Sequence, residues 1–186
     1  MAETRESIVP GGFERSAGRA EGPSSLELEV VALFDQLRMP LLRYLLGFQS
    51  LVIQDCDEII QEAFLALFQH LQRGRSRENL RAWMFRVVHN LALKRLLRSR
   101  REAELPAAAE TEDPFQNPED AYARSQMQRR LMAVVRALPE QDQRCLALRA
   151  EGLRYREIAE VLGISIGSVA KSLERSLARV ARAAER

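Results

Sequence analysis

Within residues 152–180, GLRYREIAEVLGISIGSVAKSLERSLARV, Ala159, Gly163 and Val169 stand four and then six residues apart. Two helices that cross closely need a small residue at the approach and one tolerant of positive φ in the turn. They also need an apolar anchor inside the second helix. These three residues meet those needs in order, and Ile158, Leu162, Ile164 and Leu173 supply the apolar contacts around them. Ser165 stands where its side-chain oxygen can accept the N–H of Gly167 or Ser168 and so start the second helix. The face left toward solvent carries Gly167, Ser168, Ala170, Lys171, Glu174 and Arg175. In a helix-turn-helix the first turns of the second helix meet base edges. Lys171 and Arg175, four apart, would reach bases or phosphates from one side. The plainer alternative is a helical hairpin whose charges keep a surface wet, and it leaves the agreement of spacing and cap unexplained. The chemistry implied is non-covalent reading of duplex DNA.

A second constellation is of another kind. Between Arg81 and Arg101 there are seven bases (Arg81, Arg86, Lys94, Arg95, Arg98, Arg100 and Arg101) and no acid. Trp83 and Phe85 sit near its start, with His89 and Asn90 a turn or two further on. Aromatic faces stack on unpaired bases while cations hold the backbone, which is how single strands are bound. Trp83 also fits a core position beside Met84, Val87, Val88 and Leu91, so Arg86 and Asn90 are the better surface candidates. The helix before it, CDEIIQEAFLALFQHL, presents Asp57, Glu58, Gln61 and Glu62 outward. That face would repel DNA and complement a basic protein surface; a merely solvated helix face fits it equally well.

Covalent chemistry finds no support. His70 and His89 are nineteen residues apart with no cysteine pair or H-E-x-x-H beside them, so no metal site is expected. No Gly-rich phosphate loop is followed by Lys-Ser/Thr. Asp57 and Glu58 are adjacent and diverge on a helix, and Cys56 and Cys145 do not make a disulfide framework. We expect no cofactor, no metal and no enzymatic activity.

The elements that must position these residues are helices. The chain has 186 residues, 46% hydrophobic and 6% aromatic, with Pro and Gly sparse after the first 25. Residues 1–25 hold Pro10, Gly11, Gly12, Gly18, Gly22 and Pro23 without periodicity and read as a flexible tail. Leu26, Val30, Leu33, Phe34 and Leu37 then recur at helical spacing, and Pro40 opens a fresh turn. A stripe from Ile59 to Leu71 marks a second helix, and Asn79 would cap a third that runs to about Arg101. Residues 102–122 hold seven acids, no base and three prolines, which reads as an extended linker. Helices resume at about Ala123, again near Gln141, at Arg154, and from about Ser165 to the end. The reading is all-α: two small helical domains, 26–101 and 123–186, the second a helix-turn-helix domain. Net charges of +4 and +6 on these domains flank −7 on the linker, so a polyanion would be drawn to both domains and repelled between them. No apolar run approaches the ~18 residues of a membrane span. The start, MAETRESIVPGG, has acids and a proline where a signal peptide needs a basic end and an apolar stretch. A cytoplasmic location without membrane insertion is expected.

At these segments the chain resembles a bacterial RNA polymerase sigma factor of the sigma-70 family, in its extracytoplasmic-function branch, which keeps only regions 2 and 4. The resemblance covers about residues 26–101 and 124–182. It implies that Asp57, Glu58, Gln61 and Glu62 dock on the clamp coiled coil of the polymerase largest subunit. It implies that the helix bearing Arg81, Trp83, Arg86, Asn90, Lys94, Arg95 and Arg98 melts the −10 element and holds one strand. Region 4 would read the −35 duplex through Ser165, Gly167, Ser168, Lys171, Ser172 and Arg175, and touch the flap of the second-largest subunit. An anti-sigma factor is a further partner that the family implies. The family's basic helix usually reads W-L-x-x-I-A-x-N-x-x-x-D-x-x-R-R; Trp83 and Asn90 match, whereas Lys94 stands at the aspartate. Its recognition helix commonly reads S-x-G-T-V-K-S-R-L-x-R-A. Ser165, Gly167, Val169, Leu173 and Arg175 match, with Ser168 for Thr and Ala170-Lys171-Ser172 for Lys-Ser-Arg. One basic contact is lost and another displaced, which bears on which promoter is read. A two-domain regulator that binds duplex DNA without polymerase is the alternative; it predicts a tight specific complex by the isolated chain.

Overall fold

The computed structural model describes residues 24–48, 50–103 and 126–184, which form seven α-helices and no strand. The expected tail and linker fall, but for their ends, outside these residues. Helix α1 (Ser25–Leu45) begins with a reciprocal cap: Ser24 Oγ accepts the Glu27 N–H at 3.3 Å, and the Glu27 carboxylate accepts the Ser24 N–H at 2.6 Å. Contrary to the expectation of a fresh turn at Pro40, α1 runs straight through it. A proline inside a helix costs about 3 kcal/mol. Leu37, Leu41, Tyr44 and Leu45, all buried around it, each gain roughly 1.5–3 kcal/mol, so packing wins.

Helix α2 (Ile53–Gln72) lays Cys56, Ile59, Ile60, Ala63, Phe64, Leu67 and Leu71 into the core. Phe64 meets Phe34 of α1 edge-on, ring centres 4.9 Å apart. Helix α3 (Leu80–Ala103) buries Met84, Phe85, Val88, His89 and Ala92. Asn79 stands just before it, at φ 50°, yet does not cap it: the side-chain amide donates instead to Glu157, 3.0 Å away in the C-terminal cluster.

Four shorter helices follow: α4 (Gln126–Arg136), α5 (Glu140–Ala150), α6 (Tyr155–Leu162) and α7 (Ile166–Ala184). Their core is Leu138, Cys145, Leu148, Leu153, Ile158, Val161, Val169 and Leu173. Between α6 and α7, Gly163 adopts φ 65° and ψ 32°, and the Ile164 N–H reaches back to the Ala159 carbonyl at 3.1 Å. A Cβ at Gly163 would meet nothing within 4 Å. The cost of a side chain there is therefore backbone strain alone, about 1–2 kcal/mol. Gly163→Ala should lower the unfolding free energy measured in urea by that amount and Gly163→Asn by less, because Asn tolerates the left-handed region; equal losses would mean that the turn is not the constraint.

The fold is all-α with two helical clusters, α1–α3 and α4–α7. They pack against each other, α6 on α3 and α5 on α1.

Candidate nucleic-acid and partner interfaces

On α2, Glu58, Gln61 and Glu62 are exposed and Asp57 half-exposed, all on the side away from the core. Leu65 continues that face one turn on and is 58% exposed, an apolar residue that sequence reasoning passed over. Its signal was its position, four after Gln61 and three after Glu62. Asp57 lies 3.9 Å from Arg38, a separation at which an exposed pair contributes little.

The candidate strand-binding residues of α3 divide into two groups. Arg86, Asn90, Lys94 and Arg98 are exposed and four apart, so they form one slowly winding stripe. Arg95 is turned toward α2. Its Nε donates to Asp55 Oδ1 at 2.7 Å and its Nη2 lies 2.5 Å from the same oxygen, with Glu58 at 3.3 Å. Asp55 is itself nearly buried and also accepts the Val52 N–H at 3.4 Å. This aspartate ties the acidic face of α2 to the basic helix α3. Arg81 is committed too: its Nη2 donates to the Glu151 carbonyl at 2.6 Å. Trp83 is half-buried against His70, ring centres 4.6 Å apart, so its stacking face is partly taken by its own fold. His89 is no surface residue at all. It is buried, with Nδ1 2.7 Å from the Tyr44 hydroxyl, and its pKa is lowered to about 4 by burial and by the nearby Arg144 guanidinium.

At the start of α7, the Ser165 Oγ accepts the Ser168 N–H at 3.0 Å and lies 2.9 Å from the Ser168 hydroxyl. Ser165, Gly167 and Lys171 are exposed and Ser168 half-exposed, on one side of the helix. Ala159 and Val169 are buried against each other's helices and Gly163 makes the turn. Two residues of the expected face depart from it. Ser172 is fully buried, because 169, 172, 173 and 176 form the stripe that packs inward; it cannot face DNA. Arg175 is outward, but its guanidinium grips Asp142 of α5, Nη2–Oδ1 2.9 Å and Nε–Oδ2 3.3 Å. Asp142 is buried, and the pair holds its carboxyl below the usual range despite that burial. Arg175 is thus a clamp between α5 and α7, which leaves Lys171 as the cation aimed outward from the first turns.

Family models for sigma-70 region 2 and sigma-70 region 4 match residues 33–102 and 128–180. Together they take in most of the chain, one on each helical cluster. The chain belongs to the sigma-70 family. Among its relatives, the RNA polymerase sigma-H factor of Pseudomonas aeruginosa is 28% identical over 134 residues, covering 66% of this chain and 69% of that one. The extracytoplasmic-function sigma factor SigE of Mycolicibacterium smegmatis is 30% identical over 128 residues, 65% of this chain and 48% of its own length. The solved structure of the sigma factor RpoE in complex with the anti-sigma factor NepR, from Bartonella quintana, shares the fold. Its TM-score is 0.58 at 18% identity, covering 83% of this chain and 97% of that one.

As a sigma factor of the extracytoplasmic-function type, the protein binds core RNA polymerase and directs promoter recognition, and it is not an enzyme. The acidic face of α2 and the stripe of α3 fall within the region 2 match, and the α6–α7 turn within region 4. No helix among the described residues is long and apolar enough to cross a membrane.

Proposed function

We propose that α2 docks this sigma factor on the clamp coiled coil of the polymerase largest subunit through Asp57, Glu58, Gln61 and Glu62, with Leu65 as the apolar centre of the patch. Helix α3 captures the opened −10 strand on Arg86, Asn90, Lys94 and Arg98, with Trp83 at its end. Helices α6 and α7 form a helix-turn-helix that reads the −35 duplex through Ser165, Gly167, Ser168 and Lys171, while α4 and α5 face the flap of the second-largest subunit. Residues 26–101 and 123–186 are the two working units, with 102–122 the tether between them. The observation that carries this reading is the exposed stripe on α3 running beside the acidic face of α2, the two meeting in a cleft lined by Glu58, Glu62, Lys94 and Arg98. One binds a polyanion and the other a basic protein surface. The protein acts in the cytoplasm, where polymerase is, and an anti-sigma factor is a partner on the precedent of the RpoE–NepR complex.

The test separates two stages of initiation. Lys171→Ala should weaken the closed complex on double-stranded promoter DNA and lower the salt slope by about 1, the value of one phosphate contact. Arg86→Ala with Asn90→Ala should leave that step nearly intact and slow strand opening, as read by permanganate reactivity of thymines. A pre-melted template then divides the roles: recovery means help with melting, and no recovery means grip on the melted strand. The assignment is wrong if Lys171→Ala affects opening alone, or if the α3 pair affects duplex binding alone.

A further inference from the structure

At about 3.6 residues per turn, residues 167, 171, 174 and 178 of α7 fall on one line along the helix. All four are exposed, and the line lies opposite the buried stripe that holds α7 in its cluster. Gly167 and Ala178, like the neighbouring Ala170, put nothing beyond a methyl group on this surface. Only Lys171 and Glu174 reach out from it. Among the described residues, neither side chain makes an ion pair or a hydrogen bond. The one cation next to Glu174 in the chain, Arg175, is spent on Asp142, and that pair also fixes the rotation of α7 against α5. Glu174 is thus an unpartnered carboxylate held on the line that faces away from the core.

A lysine is what a helix meeting DNA would present; a carboxylate is not, because phosphates repel it. Lys171 stands three residues earlier, about 4.5 Å of helix rise, and offsets part of that repulsion. The small residues around the pair let a helix about 10–12 Å across settle deep in a groove about 12 Å wide. There a carboxylate can only accept. The donors on the floor of the major groove are the amino groups of adenine, N6, and cytosine, N4. Adenine's is flanked on both sides by acceptors, its own N7 and the O4 of its thymine. Cytosine's has an acceptor on one side alone, the O6 of its guanine, and so leaves room for the second carboxylate oxygen. We infer that Glu174 reads a cytosine in the −35 duplex, accepting its N4 amino hydrogen, and thereby determines which promoters are selected. This rests on the reading of α6 and α7 as the helix-turn-helix that enters the major groove.

The test is a selection. Holoenzyme assembled from the full chain and core polymerase is presented with a duplex library randomised at both promoter elements, and the bound fraction is sequenced. Wild type should enrich one C·G pair in the −35 element, and changing that pair should lower affinity about tenfold or more. Glu174→Gln should move the preference at that position to adenine, because an amide both donates to N7 and accepts from N6. Glu174→Ala should bring the four bases there within about twofold of one another and leave the other positions as they were. An unchanged base profile in both variants overturns the inference. So does a uniform gain in affinity for every sequence, which would show only relief of phosphate repulsion, or a base other than cytosine at the position that Glu174→Ala relaxes. Lys171→Ala, carried through the same selection, separates the two ideas. If it weakens duplex binding while the Glu174 variants change nothing, only the cytosine assignment is lost. If all three variants leave both affinity and profile as in wild type, α7 does not read the duplex and the reading beneath the inference goes with it.

Discussion

Replacing Glu58 and Glu62 together with lysine should weaken association with core polymerase by about ten- to a hundredfold. Both side chains are on the exposed face of α2, and a basic docking surface would then meet two like charges. At ~1.4 kcal/mol per tenfold, the loss corresponds to about 1–3 kcal/mol spread over two reversals. The helix itself should hold. None of its buried stripe is touched, and loss of an acid near its start costs a few tenths of a kcal/mol. One side effect is built into the site: Glu58 is 3.3 Å from Arg95, and Glu62 shares a cleft with Lys94 and Arg98. Glu58→Gln with Glu62→Gln removes the attraction without adding repulsion toward α3, and should show a smaller loss of the same sign. Affinity is read by competition against labelled wild type for core enzyme, with far-UV circular dichroism as the folding control. A folded double-lysine variant that competes as well as wild type would exclude this face as the docking site.

Below neutrality, the main histidine-driven pH effect on stability should come from His89. Burial first, and the Arg144 charge second, lower its pKa from 6.5 to about 4 in the folded chain. Above about pH 6.5 the imidazole is neutral in both folded and unfolded chains, and stability is at its full value. As pH falls, the unfolded chain takes up the proton while the folded one does not. Stability is therefore lost from about pH 6.5 down to about pH 4, by about 3 kcal/mol over the whole window. Carboxylates titrate in the lower part of that range, so the difference from a variant is what counts. Gln at this position keeps a hydrogen-bonding partner for the Tyr44 hydroxyl and carries no titration. Urea unfolding of wild type and His89→Gln at pH 7 and pH 4.5 should show the wild type losing more stability by about 2–3 kcal/mol. Parallel losses in the two proteins would place His89 outside the acid response.

What the sequence determined by itself was whatever depends on near neighbours along the chain. The core stripe of α2 is a 3.6-residue period, and it needs only the residues from Cys56 to Leu71 to be seen. Ala159, Gly163, Ser165 and Val169 span eleven residues, and their roles in a tight turn follow from size, φ and a cap that act locally. Ser172 was legible in the same way, as the partner of Val169, Leu173 and Ser176 on one buried stripe, although its hydroxyl resembles those of the exposed polar face. The capping box at Ser24 and Glu27 was equally local and was obscured by the glycines and prolines before it. Tertiary structure alone decided which charges are free to act. Arg175 meets Asp142 across 33 residues, Arg95 meets Asp55 across 40, and Arg43 meets Glu151 across 108. It decided that Asn79 reaches Glu157 rather than its own helix, and that α1 passes through Pro40. A cation binds whichever anion the packed fold brings within hydrogen-bond distance, because an ion pair's strength depends on separation in space and on burial, not on sequence distance. A strained helix turn survives where enough apolar surface from other helices closes around it.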